Sequence, residues 1–206
     1  MSDNEEPEEI KVILIGDSGV GKTNLINTTV GLEFEENKQS TISGSCLEKI
    51  IVINNKKYSI NLWDTAGQEA YRGVTKLFFN GSQIVILVYD ITRHDSFESL
   101  AEWLRISKEI IDEDCVYGIV GNKNDLYLSS QVKEEEVQKF AASFNSSFKL
   151  VSAKTDPERF IDYLIELVKN YKKLNKSEVK NIVKLNNDKN NGNFEKKSCC
   201  LNNKTK

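Results

Sequence analysis

A phosphate-binding loop is indicated near the N-terminus by eight consecutive residues, Gly16-Asp17-Ser18-Gly19-Val20-Gly21-Lys22-Thr23. The octet follows an apolar, strand-like run and opens a helical pattern. Its glycines let backbone N–H groups point inward, and the helix adds the positive end of its dipole. Lys22 would reach the outer phosphates of a nucleotide, and the Thr23 hydroxyl would bind Mg²⁺. The alternative is a glycine turn with a purely structural role.

A second motif, Asn122-Lys123-Asn124-Asp125, directly follows another strand-like run. Open α/β sheets place their ligand sites at the carboxyl ends of strands, so the two motifs are expected to meet. A carboxylate in this position accepts two N–H donors from guanine, a pair that adenine does not offer. Asp125 would therefore select guanine over adenine, whereas the alternative interpretation is a solvated loop.

The fold class follows from apolar, β-branched runs that alternate with helical spacing. Strands are predicted at residues 10–15, 50–53, 58–63, 84–89, 116–120 and 148–151. Helical faces are predicted within 97–111, 137–144 and 161–168. Asn54-Asn55 indicates a tight turn, so the second and third strands should be antiparallel at one edge. The pattern predicts a six-stranded, mostly parallel α/β sheet with helices on both faces.

The surroundings of several single residues are also predicted. Cys46 and Cys115 lie within or beside strand-like sequence and are expected to pack as small apolar side chains. His94, the one histidine of the chain, is expected in a surface loop. Ser96 is predicted to be the N-cap of a helix that begins near Phe97.

The composition limits the class of protein. With 206 residues, 39% of them hydrophobic, the chain has room for one domain with tails. The net charge of −3 argues against a protein that binds nucleic acid along a basic surface. The longest apolar run, 84–89, is far shorter than the roughly 20 residues of a bilayer-spanning helix. The N-terminus lacks a secretory signal pattern, and Ser2 is incompatible with myristoylation, so a cytoplasmic location is expected.

The two ends of the chain differ in charge. Residues 1–9 hold five acids and no base, which predicts a disordered acidic N-terminus, and residues 10–173 are predicted to form the globular domain. Residues 174–206 are rich in Lys and Asn and show no apolar periodicity, which predicts a flexible tail.

A third motif, Trp63-Asp64-Thr65-Ala66-Gly67-Gln68-Glu69, follows the third predicted strand. With this motif, residues 10–172 resemble the small GTPases of the Ras superfamily. The resemblance implies that the chain binds GTP and GDP with Mg²⁺ and hydrolyses GTP slowly. It also implies that Asp64 holds Mg²⁺ through water, that the Gly67 N–H senses the γ-phosphate, and that Gln68 orients the attacking water.

Further positions take their roles from the same resemblance. Ser152-Ala153-Lys154 is similar to the family's third base-contacting element, in which the Ala153 N–H meets guanine. Thr41 matches the threonine that closes over Mg²⁺ and the γ-phosphate, and Phe34 matches an aromatic residue that packs against the base. Two loops, roughly 34–46 and 66–79, are expected to loosen after hydrolysis and thereby to signal to partners.

The candidate site residues fall into two overlapping groups. The nucleotide-binding residues are Asp17, Ser18, Gly19, Val20, Gly21, Lys22, Thr23, Asn24, Phe34, Thr41, Gly67, Asn122, Lys123, Asp125, Ser152, Ala153 and Lys154. The catalytic residues are Gln68 and Lys22, and the metal-binding residues are Thr23, Thr41 and Asp64.

Within the superfamily the chain is most similar to Rab proteins, which mark membranes for vesicle traffic. The similarity lies in Leu87-Val88-Tyr89-Asp90-Ile91-Thr92, in Ser40-Thr41-Ile42 and in paired cysteines near the end. It implies a monomer that works with an exchange factor, a GTPase-activating protein and GTP-state effectors at the cytosolic face of an endomembrane. The chain departs from Rabs at Ser43-Gly44-Ser45-Cys46, at Ala70 and at Phe78-Phe79, so common Rab effectors are not expected to recognise it.

The similarity to Rabs makes Cys199 and Cys200 candidates for prenylation. Two prenyl chains, with the lysines of the tail, would give stable membrane attachment. Rab cysteines normally lie at or within three residues of the terminus, whereas six residues follow Cys200 here. The alternative is a solvated tail with unreactive thiols.

Two other functions compete with a cycling GTPase. The altered switch sequences suggest a guanine-nucleotide-binding scaffold that no longer cycles, but Lys22, Thr23, Thr41, Asp64 and Gln68 all favour a cycling protein. A kinase of small metabolites would need an acceptor lid rich in arginine, and the chain has four arginines.

Overall fold

Six strands form one mixed sheet. The computed structural model of the chain describes residues 6–36, 44–65, 78–111 and 114–190, and side chains as far as residue 175. The strands are β1 (Glu8–Ile15), β2 (Ser45–Ile53), β3 (Lys56–Asp64), β4 (Ile84–Asp90), β5 (Val116–Asn122) and β6 (Ser147–Leu150). Their order is β2-β3-β1-β4-β5-β6, and each neighbouring pair is parallel except β2 and β3. The predicted sheet is confirmed.

A tight turn joins β2 to β3. Asn54 and Asn55 have φ values of 51° and 63°, the two positive φ values of a type I′ hairpin turn. β2 begins at Ser45, five residues before the predicted start, because most side chains of 45–49 are exposed or half-buried and give no apolar signal. Cys46 lies in this stretch and is exposed. Its predicted packing is therefore wrong, since its side chain is exposed at the edge strand whereas the neighbouring Leu47 packs against the core.

Helices cover both faces of the sheet. In the described residues they are α1 (Lys22–Thr29), α2 (His94–Glu98), α3 (Leu100–Lys108), α4 (Glu134–Ala142) and α5 (Pro157–Asn190). A short 3₁₀ helix spans Asn124–Ser129.

The two faces of the sheet have separate apolar cores. Leu25 of α1 and Phe160 of α5 belong to the core on one face, and Leu100 of α3 and Val137 of α4 to the core on the other. Because successive side chains of a strand point to opposite faces, β1 supplies both cores in alternation. Cys115 packs, partly buried, against the second core, so the prediction for this cysteine is confirmed.

The segment after β4 differs from its prediction. His94 is the first residue of α2 and not a loop residue. Ser96 lies inside α2 and is fully buried. Its hydroxyl donates to the Arg93 carbonyl at 2.7 Å and accepts from the Asp90 N–H at 3.1 Å. Ser96 therefore joins the end of β4 to α2 and does not cap a helix beginning near Phe97.

The last helix is longer than the sequence indicated. Regular structure was predicted to end near Lys173, whereas the backbone of α5 continues to Asn190. Residues 174–190 include four lysines, two leucines and one glutamate, which are good helix formers. The boundary between domain and tail at residues 173 and 174 stays a prediction. None of the described helices combines the length and the apolar character needed to cross a membrane.

Candidate functional site

The loop after β1 has the backbone geometry of a phosphate cradle. Gly16 and Gly21 have φ values of 145° and 95°, a region that favours glycine. A Cβ atom on Gly16 would lie 2.1 Å from the Val88 carbonyl oxygen, and one on Gly21 would lie 2.3 Å from Nδ2 of Asn122. Glycine is therefore required at both positions, because a side chain would meet β4 at the first and the Asn122 amide at the second.

Lys22 is held inside this loop. Its ammonium donates to the carbonyl oxygens of Gly16 at 2.6 Å and Asp17 at 2.8 Å, and the residue is 5% exposed. Burial lowers the pKa of Lys22 to about 8, although the carboxylates of Asp64 and Asp17 act in the opposite direction. A buried cation with two carbonyl partners can be stabilised further by an anion, as a phosphate would be.

The side-chain oxygens of Thr23 and Asp64 lie beside each other and would suit a metal ion. Thr23 is the second residue of α1 and Asp64 the last residue of β3, and the Thr23 hydroxyl donates to Oδ2 of Asp64 at 2.7 Å. Asp64 is 1% exposed. Mg²⁺ prefers hard oxygen ligands and is commonly held by one or two protein oxygens with substrate phosphates and water. The two side chains fit that ion.

Asn122, from the guanine motif, joins the phosphate-binding loop to the loop after β6. Its side-chain Nδ2 donates to the Val20 carbonyl at 2.9 Å, and its Oδ1 accepts from the Ala153 N–H at 3.2 Å. The side chain is buried at the end of β5. One amide therefore holds the phosphate-binding loop and the loop after β6 on either side of it, as the strand order places them.

The guanine motif, Asn122-Lys123-Asn124-Asp125, is packed against the loop after β6 that contains Ser152 and Ala153. Ser152 donates from Oγ to Oδ1 of Asp125 at 2.5 Å. The same Oγ accepts from the backbone N–H groups of Lys154 at 3.2 Å and Thr155 at 3.1 Å. Ser152 thus orients the Asp125 carboxylate while holding its own loop in a turn.

The segment after α1 closes one side of the site. The Asn24 side chain exchanges hydrogen bonds with the backbone of Glu35, at 2.8 Å from Nδ2 to the carbonyl and at 3.2 Å from the N–H to Oδ1. Lys154 lies with its ammonium 5.9 Å from the centre of the Phe34 ring and 3.0 Å from a Glu36 carboxylate oxygen. Phe34 and Lys154, predicted from separate motifs, are thereby brought together.

Asp90, Arg93 and Trp103 were not among the predicted site residues, yet they contact the loops after β1 and β5. Lys123 lies with Nζ 2.6 Å from Oδ2 of Asp90, the last residue of β4. Arg93 donates from Nη2 to the Ser18 carbonyl at 3.0 Å, and Trp103 donates from Nε1 to Oδ1 of Asp17 at 2.9 Å. The position of Asp90 at the carboxyl end of a central strand was a signal that could have identified it.

Asp90 is ionised in a buried position. It is 1% exposed, and burial alone would raise its pKa. Hydrogen bonds from Lys123 and Thr92 outweigh that effect, so the pKa of Asp90 lies below its usual value. The carboxylate is therefore available to hold Lys123 at neutral pH.

Several predicted residues lie outside the described residues. They are Thr41, Gly67 and Gln68 of the two switch loops and the cysteine pair Cys199 and Cys200. Their roles stay predictions.

Comparison with known proteins identifies the family. The sequence model of the Ras family matches residues 11–173, and the chain belongs to this family. It is 44% identical over 143 residues to the GTP-binding protein ypt3 of Schizosaccharomyces pombe, covering 69% of this chain and 67% of the relative. It is 42% identical over 154 residues to Ras-related protein Rab-11C of Dictyostelium discoideum, covering 74% and 69% respectively. Within the family, the predicted similarity to Rab-type small GTPases is confirmed.

Proposed function

We propose that this Rab-like GTPase switches between a GTP state and a GDP state by using the loops after β1, β5 and β6 to hold the nucleotide. The observation that carries the proposal is the position of Asn122, whose one amide contacts both the phosphate-binding loop and the loop of Ala153. A nucleotide with its phosphates in the first loop would have its base beside the second. Binding and hydrolysis of GTP in vesicle traffic are the activity of the Rab-like class, and the non-cycling scaffold is not favoured.

The phosphates would be held by the loop from Asp17 to Thr23. Its N–H groups and the start of α1 favour an anion, and the Lys22 ammonium would exchange a carbonyl partner for phosphate oxygens. Thr23 and Asp64 would hold Mg²⁺, with Thr41 added in the GTP state. When bound, the ion would neutralise charge on the phosphates.

The guanine base would be recognised at the opposite end of the site. Asp125 would accept the two N–H donors of the base, and the Ala153 N–H would meet its carbonyl oxygen. Phe34 and Lys154 would cover the base and its sugar from the side. The hydrogen bond from Ser152 supports this assignment because it fixes the Asp125 carboxylate before the nucleotide arrives.

Hydrolysis would use Gln68 to orient the attacking water, while Lys22 stabilises charge on the transferring phosphoryl group. Loss of the γ-phosphate would then release Thr41 and Gly67, and with them the two switch loops. Ras-family proteins work with exchange factors, activating proteins and effectors. An activating protein that supplies an arginine would raise the rate by a factor of about 10³ to 10⁵.

The surface that partners read would differ from that of common Rabs. Gly44 contacts Phe78 closely, since a Cβ atom at Gly44 would lie 2.5 Å from the Phe78 ring, and both positions depart from the usual Rab residues. Effectors specific to this chain would therefore recognise this altered surface. The chain would act as a monomer, as the similarity to Rabs implies.

Attachment to a membrane would use prenyl groups on Cys199 and Cys200 together with the tail lysines. Replacement of both cysteines by serine should move the full chain from the membrane fraction to the supernatant of cells that express it. Unchanged fractionation would remove the lipid from the proposal and leave the GTPase cycle in place.

The test of the proposed cycle is single-turnover hydrolysis of GTP by the full chain with Mg²⁺. The wild-type chain should hydrolyse GTP slowly and should not hydrolyse ATP, and Gln68→Leu should abolish the hydrolysis while retaining GTP. Tight GTP binding without hydrolysis by the wild-type chain would contradict the proposed roles and support a scaffold.

A further inference from the structure

The segment after β4 contacts the phosphate-binding loop and the guanine motif at once. Asp90 ends β4, and its Oδ2 lies 2.6 Å from Nζ of Lys123 in the guanine motif and 3.7 Å from Nε of Arg93. Arg93 reaches the phosphate-binding loop with a second nitrogen, since its Nη2 donates to the Ser18 carbonyl at 3.0 Å. The chain of contacts therefore runs from Ser18 through Arg93 and Asp90 to Lys123.

Asp90 is fixed by further hydrogen bonds. Its Oδ1 accepts from the Thr92 N–H at 2.9 Å and from the Thr92 hydroxyl at 2.7 Å, and its backbone N–H donates to Oγ of Ser96. With the whole residue buried, the carboxylate has one position. A buried, fully hydrogen-bonded carboxylate can act as a rigid anchor for the two cations beside it.

A second contact holds the same face of the phosphate-binding loop. Trp103 of α3 donates from its indole N–H to Oδ1 of Asp17 at 2.9 Å, one residue before Ser18. Asp17 also offers its carbonyl oxygen to Lys22. Residues of the segment 93–103 therefore hold two successive residues of the phosphate-binding loop. Arg93 contacts the backbone of Ser18, and Trp103 contacts the side chain of Asp17.

We propose that Asp90 and Arg93 are positioning residues that fix the phosphate-binding loop relative to the guanine motif and thereby slow the release of nucleotide. Neither residue is among those proposed to hold the nucleotide. Arg93 acts on the phosphates through the Ser18 backbone, whereas Asp90 acts on both loops, through Arg93 on one side and Lys123 on the other. The inference rests on the proposed function, because it assigns the phosphates to the first loop and the base to the second.

The test compares equilibrium binding of GDP and GMP to the full chain with Mg²⁺. GMP lacks the second phosphate, so a residue that acts through the phosphate-binding loop should matter more for GDP. Arg93→Ala should lower the affinity for GDP roughly 3- to 10-fold, which is the effect of one hydrogen bond from a half-exposed charge. It should change the affinity for GMP by less than about 2-fold. GDP release should accelerate by the same factor.

Asp90→Asn has a different expected pattern. It preserves the shape of the side chain but removes the charge beside Lys123, so the affinities for GDP and for GMP should both fall by about 10-fold. In the double variant Asp90→Asn/Arg93→Ala the loss of GDP affinity should be smaller than the product of the two single losses, because Asp90→Asn already removes the carboxylate that holds Arg93. Arg93→Lys keeps the charge but has one nitrogen for two acceptors. Its affinity for GDP should therefore lie between those of Arg93→Ala and the wild-type chain.

Arg105→Ala is the matched control. Arg105 also forms ion pairs, with Glu102 of α3 and with Glu109 directly after it, and all three side chains are exposed. Neither partner belongs to either loop, so the loss of Arg105 should change the affinity for neither ligand. A wild-type chain that does not bind GDP would overturn the proposed function and this inference with it. If the wild-type chain binds GDP but Arg93→Ala keeps the wild-type ratio of GDP affinity to GMP affinity, this inference alone is overturned. Independent, multiplicative effects of the two substitutions would also overturn it.

Discussion

The Thr23 hydroxyl lies 2.7 Å from Oδ2 of Asp64, although 41 residues separate them in the sequence. Their meeting follows from the parallel pairing of β1 with β3, because α1 starts from the loop after β1 and Asp64 ends β3. Two oxygen donors from different parts of the chain are thereby held side by side, in the arrangement proposed to bind Mg²⁺.

Removal of the Thr23 hydroxyl should weaken the metal site. Thr23→Ala is expected to raise the Mg²⁺ concentration that half-maximally slows GDP release by roughly 10- to 100-fold, as loss of a metal-supporting group commonly does. Thr28→Ala is the control, since its hydroxyl donates to the Asn24 carbonyl within α1. Equal Mg²⁺ midpoints for the two variants would show that Thr23 is not a ligand.

The stability of the nucleotide-free chain should rise with pH because of Lys22. Its pKa is about 8 in the folded state and 10.5 without burial, so between these values the unfolded state binds more protons. Below pH 8 the folded chain is destabilised by the full cost of burying the charged ammonium. This destabilisation disappears as the pH rises towards 10.5. From about pH 7.5 to about pH 9.5 the free energy of unfolding should rise by about 2 kcal/mol more in the wild-type chain than in Lys22→Met.

Urea unfolding at the two pH values measures this difference. Lys139→Met, which replaces an exposed lysine of α4, should keep the wild-type pH dependence. If Lys22→Met keeps it as well, the ammonium of Lys22 is not the group responsible.

Guanine selectivity should depend on Asp125. The wild-type chain should prefer GDP to ADP by at least about 10⁴, because ADP leaves the carboxylate without its donors, and Asp125→Ala should reduce the preference below about 10². Competition of both nucleotides against labelled GDP measures it. Glu135→Ala removes an exposed carboxylate of α4 and serves as the control. A preserved preference in Asp125→Ala would place guanine recognition elsewhere.

Tyr163 should stabilise the sheet by more than its ring. Its hydroxyl accepts from the Ile119 N–H at 3.1 Å and donates to the Ser147 carbonyl at 2.6 Å, which joins α5 to β5 and β6. Tyr163→Phe leaves a buried N–H without its acceptor and should lower the free energy of unfolding by about 2 kcal/mol.

The control for this substitution is Tyr127→Phe, because Tyr127 is 65% exposed. Its effect should stay within about 0.5 kcal/mol. Chemical denaturation of both variants provides the comparison, and equal midpoints would mean that the Tyr163 hydroxyl contributes no net stability.

Much of the fold was predictable because burial leaves a clear mark on sequence. The run 84–89 is buried on both faces of the sheet and was predicted to within one residue of β4. The start of β2 was missed because its side chains are largely exposed, and an exposed strand end has no apolar alternation to detect. Ser96 was misassigned because a serine before an apolar face suggests a cap, whereas here the hydroxyl is buried between β4 and α2.

The site was predictable to the extent that its residues form motifs. Lys22, Thr23 and Asp125 belong to short patterns with fixed spacing, and the structure brings all three to one end of the sheet. Arg93 and Trp103 could not be found in that way. Their contacts with the phosphate-binding loop span 75 and 86 positions, so they depend on the packing of α2 and α3 and not on local sequence.

The length of α5 sets the distance between the nucleotide site and whatever is attached to the end of the chain. Seventeen residues of helix follow Lys173, which at about 1.5 Å per residue extends the domain by roughly 25 Å. A lipid on Cys199 or Cys200 would be attached nine or ten residues farther on. The helix would then act as a spacer between the nucleotide-binding domain and the bilayer.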